Sequence, residues 1–172
     1  MKGMVIFMNF KEELLGLLLN DVLWVPAFAW LIAQLLKFLI DGCMNKRFSA
    51  ERLCGDGGMP SCHSATVASL AMMCGFSQGF GSATFALAML FAIVVMHDAV
   101  GVRRETGKQA VAIIEMVAAL NDYLKEKDAK IKTDKLKVFV GHTFSQVVCG
   151  AMVGVIVSVV YFFAFKGLIG LA

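Results

Sequence analysis

An all-α, polytopic membrane bundle with about four transmembrane helices and an amphipathic interfacial helix is the expected architecture, on three grounds. Of 172 residues, 59% are hydrophobic and only 17% charged, with a mean hydropathy of +0.75, which is above the range of soluble domains. Residues 57–96 contain no Asp, Glu, Lys or Arg, a run long enough for two bilayer crossings at roughly 20 residues each. Inside the bilayer every backbone polar group must be satisfied within the segment, so these apolar runs are helices.

Taken from the N-terminus, residues 4–20 could form a short interfacial helix before the first span, and Lys11, Glu12 and Glu13 interrupt the first apolar run. That interruption also argues against a cleaved signal peptide. The first span covers about 22–40, broken only by Gln34 and Lys37. Gly75, Ser77, Gln78, Gly79, Gly81 and Ser82 mark a turn inside the uncharged run, giving a hairpin of spans at about 61–76 and 83–100. A last span runs over about 144–165 and ends near Lys166. Between spans three and four lies a loop of about 101–140. Within it Ala110, Ile113, Ile114, Val117, Leu120 and Leu124 follow helical spacing as an amphipathic surface helix, and Lys125–Lys137 carries six lysines as a solvated segment. The whole chain, 1–172, is read as one membrane domain. Cys43, Cys54, Cys62, Cys74 and Cys149 show no CxxC spacing, so neither a metal site nor a disulfide framework is expected.

Hairpin geometry places three polar clusters on one membrane face: Pro60 to Ser64, Asp98 with Arg103 and Arg104, and Gly141 to Thr143. That face carries 12 of the 16 basic residues and is therefore expected to be cytoplasmic. The start of a helix offers unpaired N–H groups to an anion, and Ser61 and Ser64 can add hydroxyl donors. Arg103 and Arg104 supply planar donors matched to phosphate oxygens. Of two histidines at such a site, one can attack phosphorus and the other can protonate the departing alkoxide. Each group also has a structural explanation. The histidines could be satisfied by backbone carbonyls, the arginines could anchor at the interface, and Lys37 could snorkel to it. Asp98 could orient a ligand or pair with Arg103 or Arg104. His97 is expected to be structural, and Gly150 with Gly154 has the small-xxx-small spacing of close helix packing.

Pro60-Ser61-Cys62-His63 resembles the Pro-Ser-Gly-His motif of the type 2 phosphatidic acid phosphatase and vanadium haloperoxidase superfamily. The stretches Gly57 to Ala65, Asp98 to Arg104 continuing through Gly107-Lys108-Gln109-Ala110, and Gly141-His142-Thr143 resemble, in order, the three signatures of its divergent bacterial and plant branch. The resemblance implies a phosphoric ester hydrolase acting on a phosphomonoester or pyrophosphate, such as a phospholipid or isoprenoid phosphate. His142 matches the nucleophile and His63 the general acid. Ser61 and the Cys62 backbone match phosphate-binding groups, Ser64 adds a hydroxyl, and Lys37 is the candidate for the lysine of the superfamily's first motif. Met44 and Asn45 occupy the later places of that motif, Leu136 stands where an arginine precedes the last histidine, and Arg103 and Arg104 are the expected replacements. Gln146 replaces the acidic residue that usually orients the nucleophile, which leaves a non-catalytic binder of lipid phosphate, or a transport or scaffold element, as the competing reading. No metal, other cofactor or nucleic acid is expected, vanadate is expected to inhibit, and a homo-oligomer stays open.

Overall fold

The computed structural model describes residues 10–45, 58–123 and 141–167, and these are helical throughout apart from short connections. Six helices follow one another: α1 Phe10–Leu18, α2 Asp21–Asn45, α3 Cys62–Gln78, α4 Ala83–Val100, α5 Val102–Tyr123 and α6 Phe144–Val160, the last continuing as a π-helical turn over Tyr161–Lys166. The Lys125–Lys137 segment, Leu124, Leu136, Cys54, Gly57 and the basic residues Lys46, Arg47 and Arg52 lie outside the described residues.

Helix α3 occupies the centre, packed on α2, α6 and α4, while α6 also touches α2. Ten of its 17 residues are buried, most of them small: Ser64, Ala65, Ala68, Ser69, Ala71 and Gly75 among them. Small side chains bring the flanking backbones close. Where α6 crosses α3, a Cβ on Gly150 would run into the Ser61 carbonyl, and one on Gly154 into the Ala65 carbonyl. The expected small-xxx-small seam is therefore the α3–α6 contact. Deeper along the same seam the Ser69 and Ser158 hydroxyls meet at 2.8 Å, and Ser158 also reaches the Gly154 carbonyl at 3.0 Å.

Three helical stretches are long and apolar enough to cross a bilayer: Glu12–Met44, Ala83–Tyr123 and Phe144–Lys166. The remaining member of the expected four, α3, is shorter, about 26 Å at 1.5 Å per residue. It is sheathed by protein rather than lipid, so its sequence is set by backbone approach and needs no long lipid-facing surface.

The expected hairpin turn falls at Gly79–Ser82. Gly79 takes φ +88° and Ser82 caps α4 by accepting from the Phe85 amide at 3.1 Å. At the opposite end of the chain's loop, α5 begins one residue after α4, so the surface helix is longer and starts earlier than its apolar spacing indicated. Its outer face leaves Ile113, Met116 and Leu120 exposed, as an interfacial helix requires. At the bundle end away from His63 and His142, Lys166 pairs with Asp21 at 3.3 Å and Phe76 stacks on Phe162 at 4.4 Å, which ties the end of α6 to α2 and α3.

Candidate active site

Three chain segments converge at one end of the bundle: the start of α3, the α4–α5 junction and the turn leading into α6. Their backbones are stitched together. The Ser61 amide donates to the Gln146 carbonyl at 3.1 Å, and the His142 amide donates to the Ala99 carbonyl at 3.0 Å. Gly141, at φ +92°, lies so close to the Arg103–Arg104 peptide that a Cβ there would overlap it. Only glycine meets both the left-handed backbone and the close approach.

A cavity of about 200 Å³ forms at this junction, lined by His63, Val94, Val95, Asp98, Ala99, Arg103, Gly141 and His142. Both histidines, the acid and one arginine of the expected site thus share a single space. Asp98 accepts a 2.7 Å hydrogen bond from Arg103 Nε, an ion pair with both side chains partly exposed. The pairing reading of Asp98 is what the structure shows, and it leaves the rest of the Arg103 fork for other acceptors. Arg104 is exposed and does not line the cavity, and its contribution is the backbone against Gly141.

Ser61 and Ser64 are fully buried and engage each other. Ser61 caps α3, its Oγ accepting from the Ser64 amide at 3.4 Å and from Ser64 Oγ at 3.0 Å. They shape the helix start that presents His63, and with the buried Cys62 they stand behind the cavity rather than in its lining. Lys37 does not snorkel. It is 3% exposed, its methylene stem packs on Gly58, and its charge lies near His142. A β-carbon on Gly58, itself at φ +105°, would crowd that stem.

His142 is 4% exposed. Its Nδ1 lies 3.2 Å from Gln146 Oε1, and the same oxygen accepts from the Thr143 amide at 3.0 Å. Thr143 Oγ1 in turn accepts from the Gln146 amide at 3.4 Å, completing a capping box at the start of α6. A backbone N–H can only donate, so the Gln146 atom facing it is the oxygen, and His142 Nδ1 must carry the hydrogen. The Nε2 lone pair is then free, and among the described residues Nε2 is a buried side-chain atom with no hydrogen-bond partner. Burial pushes the imidazole below its ordinary pKa. The Gln146 hydrogen bond opposes this, the charges of His63 and Lys37 add to it, and the Gly58 carbonyl weakly opposes it.

The Thr143-x-x-Gln146 spacing is itself the signal of a capping box, and it adds the helix cap to the hydrogen bond that a glutamine at this place can accept from the ring. Val94 and Val95 carried no chemical signal and are found only through the fold. His97 faces away from the cavity.

Comparison with known proteins bears on this constellation directly. A family model described as "Divergent PAP2 family" matches residues 18–157. The chain belongs to the divergent PAP2 family. The match takes in Lys37, all three segments of the junction and both histidines of the cavity. A Bacillus subtilis (strain 168) protein named "Uncharacterized membrane protein YuiD" is 36% identical over 155 residues, covering 86% of this chain and 98% of the relative. No solved structure matches. Membership of the divergent PAP2 family, with the apolar helices and a membrane-protein relative, makes this a multi-pass membrane protein.

Proposed function

We propose that the protein is a membrane phosphohydrolase that cleaves a phosphomonoester or pyrophosphate of a lipid through a phosphohistidine at His142. The observation that carries this reading is the Gln146 hydrogen bond to His142, from which the tautomer follows. A nucleophile must present an unprotonated nitrogen, and the Gln146 oxygen, fixed by the Thr143 amide, holds the hydrogen on Nδ1 and leaves Nε2 with its lone pair. The depressed pKa keeps that nitrogen unprotonated at neutral pH.

The step runs as an in-line displacement. Nε2 attacks phosphorus, the phosphorus–oxygen ester bond breaks, and His63 gives its proton to the departing alkoxide. Water then attacks the phosphohistidine while His63, now neutral, accepts its proton, so inorganic phosphate leaves and both histidines return to their starting states. Arg103 and Lys37 supply the positive charge that the phosphoryl oxygens need, Arg103 from the cavity wall and Lys37 from its buried place near His142. The excess of basic residues expected on this membrane face supports a cytoplasmic site.

Phosphate release across a panel of lipid phosphates, with and without vanadate, tests the reading. Vanadate-sensitive release that disappears in His142→Ala is expected, together with an acid-labile phosphoryl label on the wild-type protein. Undiminished release by His142→Ala would remove the nucleophile. A second reading is favoured by Gln146, whose neutral side chain gives no counter-charge to a developing imidazolium. On that reading the protein binds lipid phosphate without turning it over, and vanadate or phosphate would bind while no ester is cleaved by either wild type or Gln146→Glu.

A further inference from the structure

The end of the bundle away from His63 and His142 carries a second polar cluster, and it stands at the head of an apolar groove. Asp21 opens α2 and Lys166 closes the π-helical turn, and the two pair at 3.3 Å with side chains 32% and 28% exposed. The Tyr161 hydroxyl also donates to Asp21. Beneath them α2 and α6 bound a groove of about 480 Å³, within the size range of small-molecule sites. It is lined by Val25, Phe28 and Ile32 on one side and by Val157, Tyr161 and Phe165 on the other.

Helical spacing joins the two features. Positions 21, 25, 28 and 32 follow the i, i+3, i+4 rule, so Asp21 stands at the head of the α2 wall of the groove. Tyr161 belongs to both, lining the groove and bonding Asp21. It also opens the π-helical turn that ends at Lys166, and such turns are rare and recur at functional sites. Val25, 3% exposed, is the floor, while Phe28 at 58% and Phe165 at 60% form open rims. Both walls belong to stretches apolar and long enough to cross a bilayer, so the rims face hydrocarbon and the ion pair lies at the membrane boundary.

Neither charge is used up by the pair. An ammonium has three hydrogens to give, and a carboxylate has about four lone-pair sites to accept them. A hydrocarbon groove headed by a cationic donor and an anionic acceptor matches a ligand that carries an acyl chain, an anion and a hydrogen-bonding cation. We propose that this groove binds a phospholipid with a primary ammonium headgroup, of the phosphatidylethanolamine class. One acyl chain lies along Phe28 and Ile32, a phosphate oxygen accepts from Lys166, and the ammonium donates to Asp21. A choline headgroup has the same charges but no N–H to donate, and a glycerol headgroup has no cation to set against Asp21. The site is remote from the two histidines and stands whether or not the protein cleaves an ester.

Trp24 reports occupancy, because it lies one turn from Asp21, is 41% exposed, and shares the chain with a single other tryptophan, Trp30. The full-length Trp30→Phe protein is reconstituted in phosphatidylcholine vesicles in which a fixed share of the lipid is replaced by brominated phosphatidylethanolamine, phosphatidylglycerol or phosphatidylcholine. Bromine on an acyl chain quenches the indole on contact, so quenching ranks the three headgroups. Phosphatidylethanolamine is expected to associate about fivefold more tightly than either of the others, the scale of one net hydrogen bond. Asp21→Asn keeps the shape and removes the charge, and is expected to bring phosphatidylethanolamine level with phosphatidylcholine. Val160→Phe narrows the groove without touching the ion pair, and is expected to do the same. Helical circular dichroism equal to that of the parent protein shows that each variant is folded. Equal quenching by all three lipids in the parent protein, a preference for phosphatidylglycerol, or an ethanolamine preference that survives either folded variant each overturn the proposal.

Discussion

Gln146 changes meaning once its contacts are known. By sequence it stands where the superfamily places an acid, as a residue that can still accept a hydrogen bond from the ring but brings no counter-charge. In the fold its one oxygen caps α6 and orients His142, so the tautomer survives and only the counter-charge is gone. The rate should then fall as pH drops through a His142 pKa lying below the ordinary value of about 6.5, visible as an acid limb in the kcat/KM profile displaced toward low pH. The same depression has a sign for stability. The unfolded chain takes up the proton first, so stability is undiminished above the ordinary histidine value and falls as pH drops below it. Gln146→Glu keeps both hydrogen bonds and adds a charge that favours the imidazolium, so its acid limb should move up by about one unit or more. An unmoved limb would show that His142 does not set it. His63→Ala should cost about 10²- to 10⁴-fold in turnover of an alkyl phosphate and much less for an ester whose leaving group needs no proton. Both histidines and Asp98 were legible because they are polar groups at the ends of apolar runs. The burial of Lys37 was not, because the same lysine near a helix end is equally suited to reach the interface.

Among the elements, α3 shows how composition encodes position. Its serines, alanines and glycine lower its hydrophobicity relative to α4 and α6, and the reason is close contact on three sides. The helix ends were largely readable from turn residues such as Gly79 and Ser82. The early start of α5 was not, because Val102 to Lys108 has no apolar periodicity and is held by the junction with α4 and Gly141. Gly150→Val and Gly154→Val should each destabilise the bundle by about 3 kcal/mol or more, since the added carbons meet backbone oxygens that cannot turn away. Thermal unfolding in detergent measures this, and Ser158→Ala gives the contrast, expected near 1 kcal/mol for the loss of one buried hydroxyl. Melting curves in which all three variants coincide with wild type would discard the seam as a source of stability.

For the molecule as a whole, the α3–α4 hairpin between Ser61 and His142 brings residues 81 positions apart into one junction. Topology makes a site there without any local motif being complete. Cysteine labelling in sealed vesicles should find engineered cysteines at Met59 and Thr143 on the same side as each other and opposite one at Ser82; labelling of all three from one side would contradict the hairpin. The turn that carries His142 is held by peptide groups: its own amide on Ala99, the Ser61 amide on Gln146, and Gly141 laid on the Arg103–Arg104 bond. Such fastening is indifferent to most side chains. Descendants of this sequence can exchange neighbours such as Cys62 or Ser145 with little disturbance to the alignment of the two histidines, while a single methyl group at position 141 would pry the junction open.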